Sequence, residues 1–115
     1  MNQYVVIKPH HSTYPDPITL KTGDKVIYGK EDTEYPNWVF CTSPSEKKGW
    51  VPKQILSQDI LAHFARVSED YSAHELTVEA GETLTGLIQL NEWTFCCRDT
   101  GEQGWIPDSC LKKIT

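Results

Sequence analysis

Trp38-Val-Phe-Cys41, followed by a polar loop and by Gly49-Trp-Val-Pro52, decides the fold because the chain repeats it. The second copy is Trp93-Thr-Phe-Cys96, a polar loop and Gly104-Trp-Ile-Pro107, with the same spacing from tryptophan to glycine. Self-similarity of this kind indicates repeated structural units. The sequence therefore predicts that the chain contains two copies of one module.

The match between the copies extends upstream of the tryptophans. Thr19-Leu-Lys-Thr-Gly23-Asp24 corresponds to Thr77-Val-Glu-Ala-Gly81-Glu82. The chain has 115 residues, so each module has roughly 55 residues, a size that buries little surface and is marginally stable alone. We predict domains at 1–58 and 62–115.

Charge and hydropathy limit the classes of partner. The net charge of −5 argues against nucleic acid and anionic membranes, because both require clustered Lys and Arg. No apolar run approaches the roughly 20 residues that cross a bilayer, and the first residues lack the features of a signal peptide. The cysteines do not form the framework of a disulfide-rich secreted domain, which favours a reducing, cytoplasmic location.

Short β-branched and aromatic runs between turn residues predict an all-β fold with five strands in each copy. A short 3₁₀ turn at 52–55 is expected before the last strand of the first copy. Small five-strand meanders cover their edges by closing into barrels. The predicted strands of the two copies are 4–8, 25–28, 38–42, 48–51 and 55–57, then 64–68, 83–88, 92–98, 103–106 and 110–114.

Alternation along these strands assigns side chains to the two faces of each sheet. In each copy one face of the predicted sheet is apolar, and this face is predicted to form the core. The core residues predicted in this way are Val26, Cys41, Val51, Leu84, Cys96 and Ile106.

The residues that carry a family resemblance lie mainly in the second copy. Glu75-Leu-Thr-Val-Glu-Ala-Gly81-Glu82, the tryptophan strand and Gly104-Trp-Ile-Pro107-Asp-Ser-Cys-Leu111 resemble the Src-homology-3 (SH3) pattern, and Asp70-Tyr71 resembles its Asp-Tyr element. Both copies match, and in detail they are similar to the tandem variant SH3-like proteins of prokaryotes. The resemblance implies two SH3-like barrels.

The resemblance also implies peptide-binding grooves, in which aromatic residues hold an extended proline-rich ligand. Tyr71, Trp93 and Pro107 match the groove of the second copy, and Trp38 and Pro52 match that of the first. The acidic loop that pairs with a ligand Arg or Lys corresponds to Glu69, Asp70 and Glu75.

The groove residues depart from the family pattern at several positions. The late groove tyrosine is Cys110 in one copy and Ile55 in the other, and Pro9-His10 replaces the Asp-Tyr element of the first copy. Each lost ring removes apolar stacking surface, so proline-rich ligands should bind weakly. Longer loops in the first copy bring Tyr14, Tyr35 and Pro36 towards the groove, or else cover a sheet edge or contact the second module.

Two tryptophans and two histidines carry further expectations. Trp38 and Trp93 begin their strands beside polar loops, so we expect both to be partly exposed and to bind ligand, the alternative being that they fill an interface between modules. His10 and His11 lack a third ligand in a recognisable metal pattern, which predicts a solvated pair and no metal site. Trp50 is expected to pack.

The cysteines are open to three interpretations, namely metal ligands, redox groups or core residues. No Cys-x-x-Cys spacing is present, so Cys41 and Cys96 are predicted to be core residues. Cys97 and Cys110 are expected to be more exposed, without a neighbouring base that would activate a thiol.

The leading functional hypothesis is a non-enzymatic module that binds a protein or peptide, without cofactor, as a monomer or weak dimer. Alternatives are a cell-envelope or glycan-associated domain, a structural unit without a free groove, and a thiol enzyme or redox sensor using Cys97 or Cys110. Nucleic-acid binding would need a basic face around Lys47 and Lys48.

Overall fold

The computed structural model describes residues 2–13, 16–58 and 63–114. Within these ranges the regular secondary structure consists of strands and two 3₁₀ turns, which confirms the all-β prediction. No helix there is long and apolar enough to cross a membrane. The strands are β1 (Asn2–Val6), β2 (Thr19–Leu20), β3 (Lys25–Glu31), β4 (Trp38–Thr42), β5 (Lys48–Pro52), β6 (Leu56–Gln58), β7 (Phe64–Val67), β8 (Tyr71–Ser72), β9 (Thr83–Leu90), β10 (Trp93–Cys97), β11 (Gln103–Pro107) and β12 (Leu111–Lys113).

The two 3₁₀ turns precede the last strands of the repeats, at Lys53–Ile55 and Asp108–Cys110. Each turn begins after a proline in extended conformation, Pro52 or Pro107, and this proline lacks the N–H that a sheet ladder would need. The predicted turn of the first copy is therefore present, and the second copy has its counterpart. The two-residue strands β2 and β8 were not predicted from the sequence.

The chain divides into two compact units. The continuous unit is Asp16–Ala73, and its five-stranded sheet has the order β5-β4-β3-β7-β6. The split unit combines Met1–Pro15 with His74–Thr115, and its sheet has the order β11-β10-β9-β1-β12. Neighbouring strands in both sheets are antiparallel.

These units differ from the predicted domains 1–58 and 62–115. Strand β1 pairs with β9 and β12 of the second copy, and β7 pairs with β3 and β6 of the first. The first strands of the two copies are therefore exchanged. The hydrophobic pattern allowed either arrangement because both strands alternate in the same way, with Tyr4 and Val6 buried in β1 and Ala65 and Val67 buried in β7.

The core predictions are confirmed, because each of the six predicted side chains is buried. Ile18 and Leu20 complete the core of the continuous unit, and Leu76 and Val78 complete that of the split unit. These four residues lie outside the long strands, in segments that pass across each sheet. Burial there follows from tertiary packing and not from a strand pattern.

Candidate functional site

In the split unit, the tryptophan predicted to bind ligand lies beside the predicted groove proline. Trp93 begins β10 directly after a turn in which Asn91 and Glu92 have positive φ, and its register partner in β11 is Pro107. Both side chains are half-buried. The strand pairing therefore presents an indole and a pyrrolidine ring side by side at one end of the sheet.

His10 joins this pair. Its Nε2 atom lies 2.8 Å from Oε1 of Glu75, and its ring contacts that of Trp93 edge-on, at 5.7 Å between centroids. The side chains of His10 and Glu75 are 19% and 16% exposed. We call His10, Glu75, Trp93 and Pro107 the Trp93 site.

Backbone pairing brings the histidine to this position. The N–H of His10 donates to the carbonyl of Val78 at 3.0 Å, and the N–H of Val78 donates back at 2.8 Å. The expectation of a solvated histidine pair is therefore wrong for His10. It holds for His11, which is exposed and lies 3.6 Å from the equally exposed Glu79. The signal for His10 was its place in the repeat, where it stands in the position of Tyr71.

The Trp93 site combines an aromatic surface with a carboxylate. An indole face and a proline ring bind apolar or cationic groups, while a carboxylate accepts hydrogen bonds from Arg or Lys. In the structure the imidazole of His10 holds the Glu75 carboxylate. A cationic ligand therefore meets a site whose acidic group already has a partner.

The corresponding site of the continuous unit is closed. Trp38 lies opposite Pro52 in the β4–β5 pairing, as Trp93 lies opposite Pro107, but Trp38 is only 6% exposed and Pro52 is fully buried. The preceding loop folds against the start of β4, because the N–H of Asp32 donates to the carbonyl of Trp38 at 2.8 Å. The expectation that Trp38 is partly exposed is therefore wrong. Trp38 follows a polar loop in the sequence, but its side chain is buried in the folded unit.

Tyr71 belongs to the continuous unit and not to the unit of Trp93. It lies in β8, pairs with Leu20 of β2, and donates from its hydroxyl to the carbonyl of Trp50 at 2.9 Å. The predicted grouping of Tyr71 with Trp93 and Pro107 is therefore not found. The exchange of the first strands is the reason, because it carries the segment after β7 away from the second copy's sheet.

The predicted acidic loop is divided in the same way. Glu69 and Asp70 are exposed in the continuous unit, and Glu75 lies in the split unit. Asp70 accepts from the backbone N–H of Thr22 at 2.8 Å and from its hydroxyl at 3.0 Å. These two hydrogen bonds hold the pKa of Asp70 below its ordinary value. Asp70 therefore has a structural role in joining two loops.

Tyr14 lies outside the described residues. Tyr35 is half-buried in the loop between β3 and β4, and Pro36 beside it is exposed. That this longer loop brings Tyr35 and Pro36 to the groove stays a prediction.

The four cysteines are free thiols. Cys41 and Cys96 are fully buried, as predicted, and burial raises the pKa of the Cys41 thiol to about 11 and that of Cys96 to about 12. Cys110 is also buried, contrary to expectation, because it ends a 3₁₀ turn that packs into the core of the split unit. Cys97 is half-buried, and its thiol donates to the carbonyl of Arg98.

The packing tryptophans behave alike in the two units. The rings of Phe40 and Trp50 make an edge-on contact with their centroids 5.1 Å apart. The rings of Phe95 and Trp105 make the same contact with their centroids 5.2 Å apart. Across the described ranges, no group of three or more His, Cys, Asp or Glu side chains is arranged to hold a metal ion.

Comparison with known proteins supports the fold and its general class. SH3 and PX domain-containing protein 2B from Mus musculus and from Homo sapiens are each 28% identical to the chain over 128 aligned residues. The alignments cover 98% of this chain and 14% of each relative. No solved structure is significantly similar to the chain. Residues 3–59 match the family model of the variant SH3 domain.

Proposed function

We propose that this chain is a non-catalytic protein-interaction module that binds a peptide segment at the Trp93 site. The observation that carries the proposal is a chain of neighbours: Trp93 lies opposite Pro107 and contacts the ring of His10, and His10 in turn lies 2.8 Å from Glu75. The variant SH3 match supports an interaction role, as do relatives whose names include SH3 and PX domains. The chain spans 14% of the length of those relatives.

The chemistry of the site suggests the class of ligand. Trp93 and Pro107 offer apolar surface for an aliphatic or proline side chain. Oε1 of Glu75 lies against His10, and the second carboxylate oxygen is the acceptor for Arg or Lys. Cys110 is buried and supplies no ring to this surface. The peptide therefore has one apolar anchor and one basic residue, and its affinity is modest because few anchors offset the ordering of a flexible chain.

A structural role is favoured for the Trp38 position of the continuous unit. Trp38 and Pro52 are both buried, which leaves little indole surface for a ligand. We propose that Trp38 acts there as a packing residue. For the whole protein we propose a cytoplasmic location, since four free thiols suit a reducing compartment.

The test is a screen of immobilised proline-rich and basic peptides with the full chain, followed by titration of the best peptide. We expect Trp93→Ala and Glu75→Gln each to weaken binding at least tenfold. Glu79→Gln is the matched control, because Glu79 lies on the same loop but its side chain is exposed and lies 3.6 Å from the exposed His11. Equal binding by wild type, Trp93→Ala and Glu75→Gln would show that the Trp93 site is not the contact surface.

A further inference from the structure

The exchange of β1 and β7 has an alternative in which each strand stays with its own copy. The variant SH3 match over 3–59 runs from β1 to β6 in chain order, which is the sequential arrangement. The structure instead places β1 between β9 and β12, and β7 between β3 and β6. Something in the sequence must therefore favour exchanged pairing over sequential pairing.

The backbone register does not distinguish the two arrangements. Tyr4 of β1 lies opposite Leu84, and Ala65 of β7 lies opposite Val26, which is the residue that corresponds to Leu84 in the repeat. On the other side, Val6 lies opposite Leu111 and Val67 lies opposite Leu56, again at corresponding positions. Each first strand therefore meets either sheet with the same register and the same buried face.

Side-chain size does distinguish them. The ring of Tyr4 covers Gly86, where an added Cβ atom would lie 3.0 Å from Cδ2 of the ring and closer still to Cε2. Tyr4 is buried, and its ring leaves no room for a residue larger than glycine at position 86. The corresponding position of the other sheet is Tyr28, which is half-buried and packs against the core cluster that contains Ala65. Each sheet thus pairs one tyrosine with one small residue.

We propose that this size complementarity fixes the exchange: Tyr4 fits only over Gly86, and Tyr28 leaves room only for Ala65. In the sequential arrangement, Tyr4 would meet Tyr28 in one sheet, while Ala65 would leave a void over Gly86 in the other. Overpacking and cavities both destabilise a core. The exchanged pairing avoids both.

The exchange also assigns residues to the two candidate sites, and this consequence rests on the proposed function. It brings His10 to the sheet of Trp93 and Tyr71 to the sheet of Trp38. Sequential pairing would reverse the assignment and give the Trp93 site a tyrosine in place of the histidine. Tyr4 and Gly86 are therefore positioning residues that determine which side chain faces the Glu75 carboxylate.

Nuclear magnetic resonance of the full chain tests the pairing directly. Exchanged pairing predicts interstrand nuclear Overhauser effects from Val5 to Thr83 and to Lys112, which are its register partners. Sequential pairing predicts them from Val5 to Lys25 and to Ser57. The latter set in the wild type would overturn the exchange. A mixture of labelled and unlabelled protein, with filtered spectra, must show the Val5 effects within one chain, and effects only between chains would also overturn it.

A variant in which the two key residues trade places tests the cause. In Tyr4→Ala/Ala65→Tyr, the ring fits over Gly86 only in the sequential arrangement, so we expect the Val5 effects to move to Lys25 and Ser57. Retention of the exchanged set in a folded double variant would overturn the size argument. These spectra do not depend on any ligand, so their outcome is separate from that of the peptide screen.

Single substitutions decide the matter if the double variant does not fold. Tyr4→Phe keeps the ring, and we expect only the exchanged set of signals. Tyr4→Ala removes the preference, and we expect a second set of resonances for β1 and β7 from a sequential population of at least a few per cent. If Tyr4→Ala shows only the signals of exchanged pairing and its stability is unchanged, the proposal is overturned.

Discussion

Nε2 of His10 lies 2.8 Å from Oε1 of Glu75, although the two residues are 65 positions apart in the chain. The pair is half-buried, and the ring of His10 also makes an edge-on contact with that of Trp93. In the repeat, His10 stands where the second copy has Tyr71. The contact therefore exists because the first strands are exchanged, and it gives the Trp93 site an imidazole that is already bonded to its carboxylate.

The His10–Glu75 contact should contribute to stability. We expect His10→Ala to lower the free energy of unfolding by about 1 kcal/mol, the usual value of a partly buried hydrogen bond. His11→Ala is the control, because the His11–Glu79 pair is exposed, and exposed pairs contribute about 0–1 kcal/mol. Urea unfolding at constant pH measures both. Equal losses for the two variants would contradict a special role of His10.

The two corresponding tryptophans should differ in what they do. Trp38 is 6% exposed, so Trp38→Ala should cost about 3–5 kcal/mol, as for other large-to-small changes in a core. Trp93 is half-buried, and Trp93→Ala should cost roughly 1–2 kcal/mol through lost apolar contact. Unfolding followed by far-ultraviolet circular dichroism gives both values. A larger loss for Trp93 than for Trp38 would reverse the assignment of packing and binding roles.

The four thiols should differ in their rate of modification because they differ in burial. At pH 7.5 a thiol reagent should modify Cys97 faster than Cys41, Cys96 and Cys110, which are buried. Mass spectrometry of labelled peptides identifies the site, and Cys97→Ser should remove the fast phase. Rapid labelling of Cys41 or Cys96 in the folded protein would contradict the structure.

The same thiols predict a pH dependence of stability. Burial raises the folded-state pKa of Cys41 to about 11 and of Cys96 to about 12, from an ordinary value of 9.0. The folded state then holds protons that the unfolded state releases, so stability is full below pH 9 and falls as pH rises towards 11–12. Unfolding midpoints between pH 8 and pH 11 measure this. A stability that does not fall above pH 9 would contradict it.

Asp70 should show the opposite pH dependence. Hydrogen bonds from Thr22 lower its folded-state pKa, so its contribution is present above the ordinary carboxyl pKa and is lost as pH falls through the lowered value. Asp70→Asn should therefore reduce stability at pH 7 and flatten its decline below pH 4. Glu69→Gln changes an exposed neighbouring carboxylate and is the control. Identical acid profiles for the two variants would contradict the structural role of Asp70.

Several features of this protein followed from the sequence alone. The period-2 alternation around Trp38 and Trp93 located the main strands, and it placed Val26, Cys41, Leu84 and Cys96 in the cores. Such patterns are local, because alternate side chains of a strand point to opposite faces whatever strand lies beside them. The repeat and the variant SH3 pattern were readable for the same reason.

Tertiary structure alone decided which sheet each first strand joins. β1 and β7 present the same alternation and the same register, so neither the backbone pairing nor the polar–apolar pattern of either strand selects its partner. The choice depends on how Tyr4 and Ala65 fit residues far away in the chain. The contact of His10 with Glu75 and the burial of Trp38 likewise arise from packing between distant segments, which spacing along the sequence does not encode.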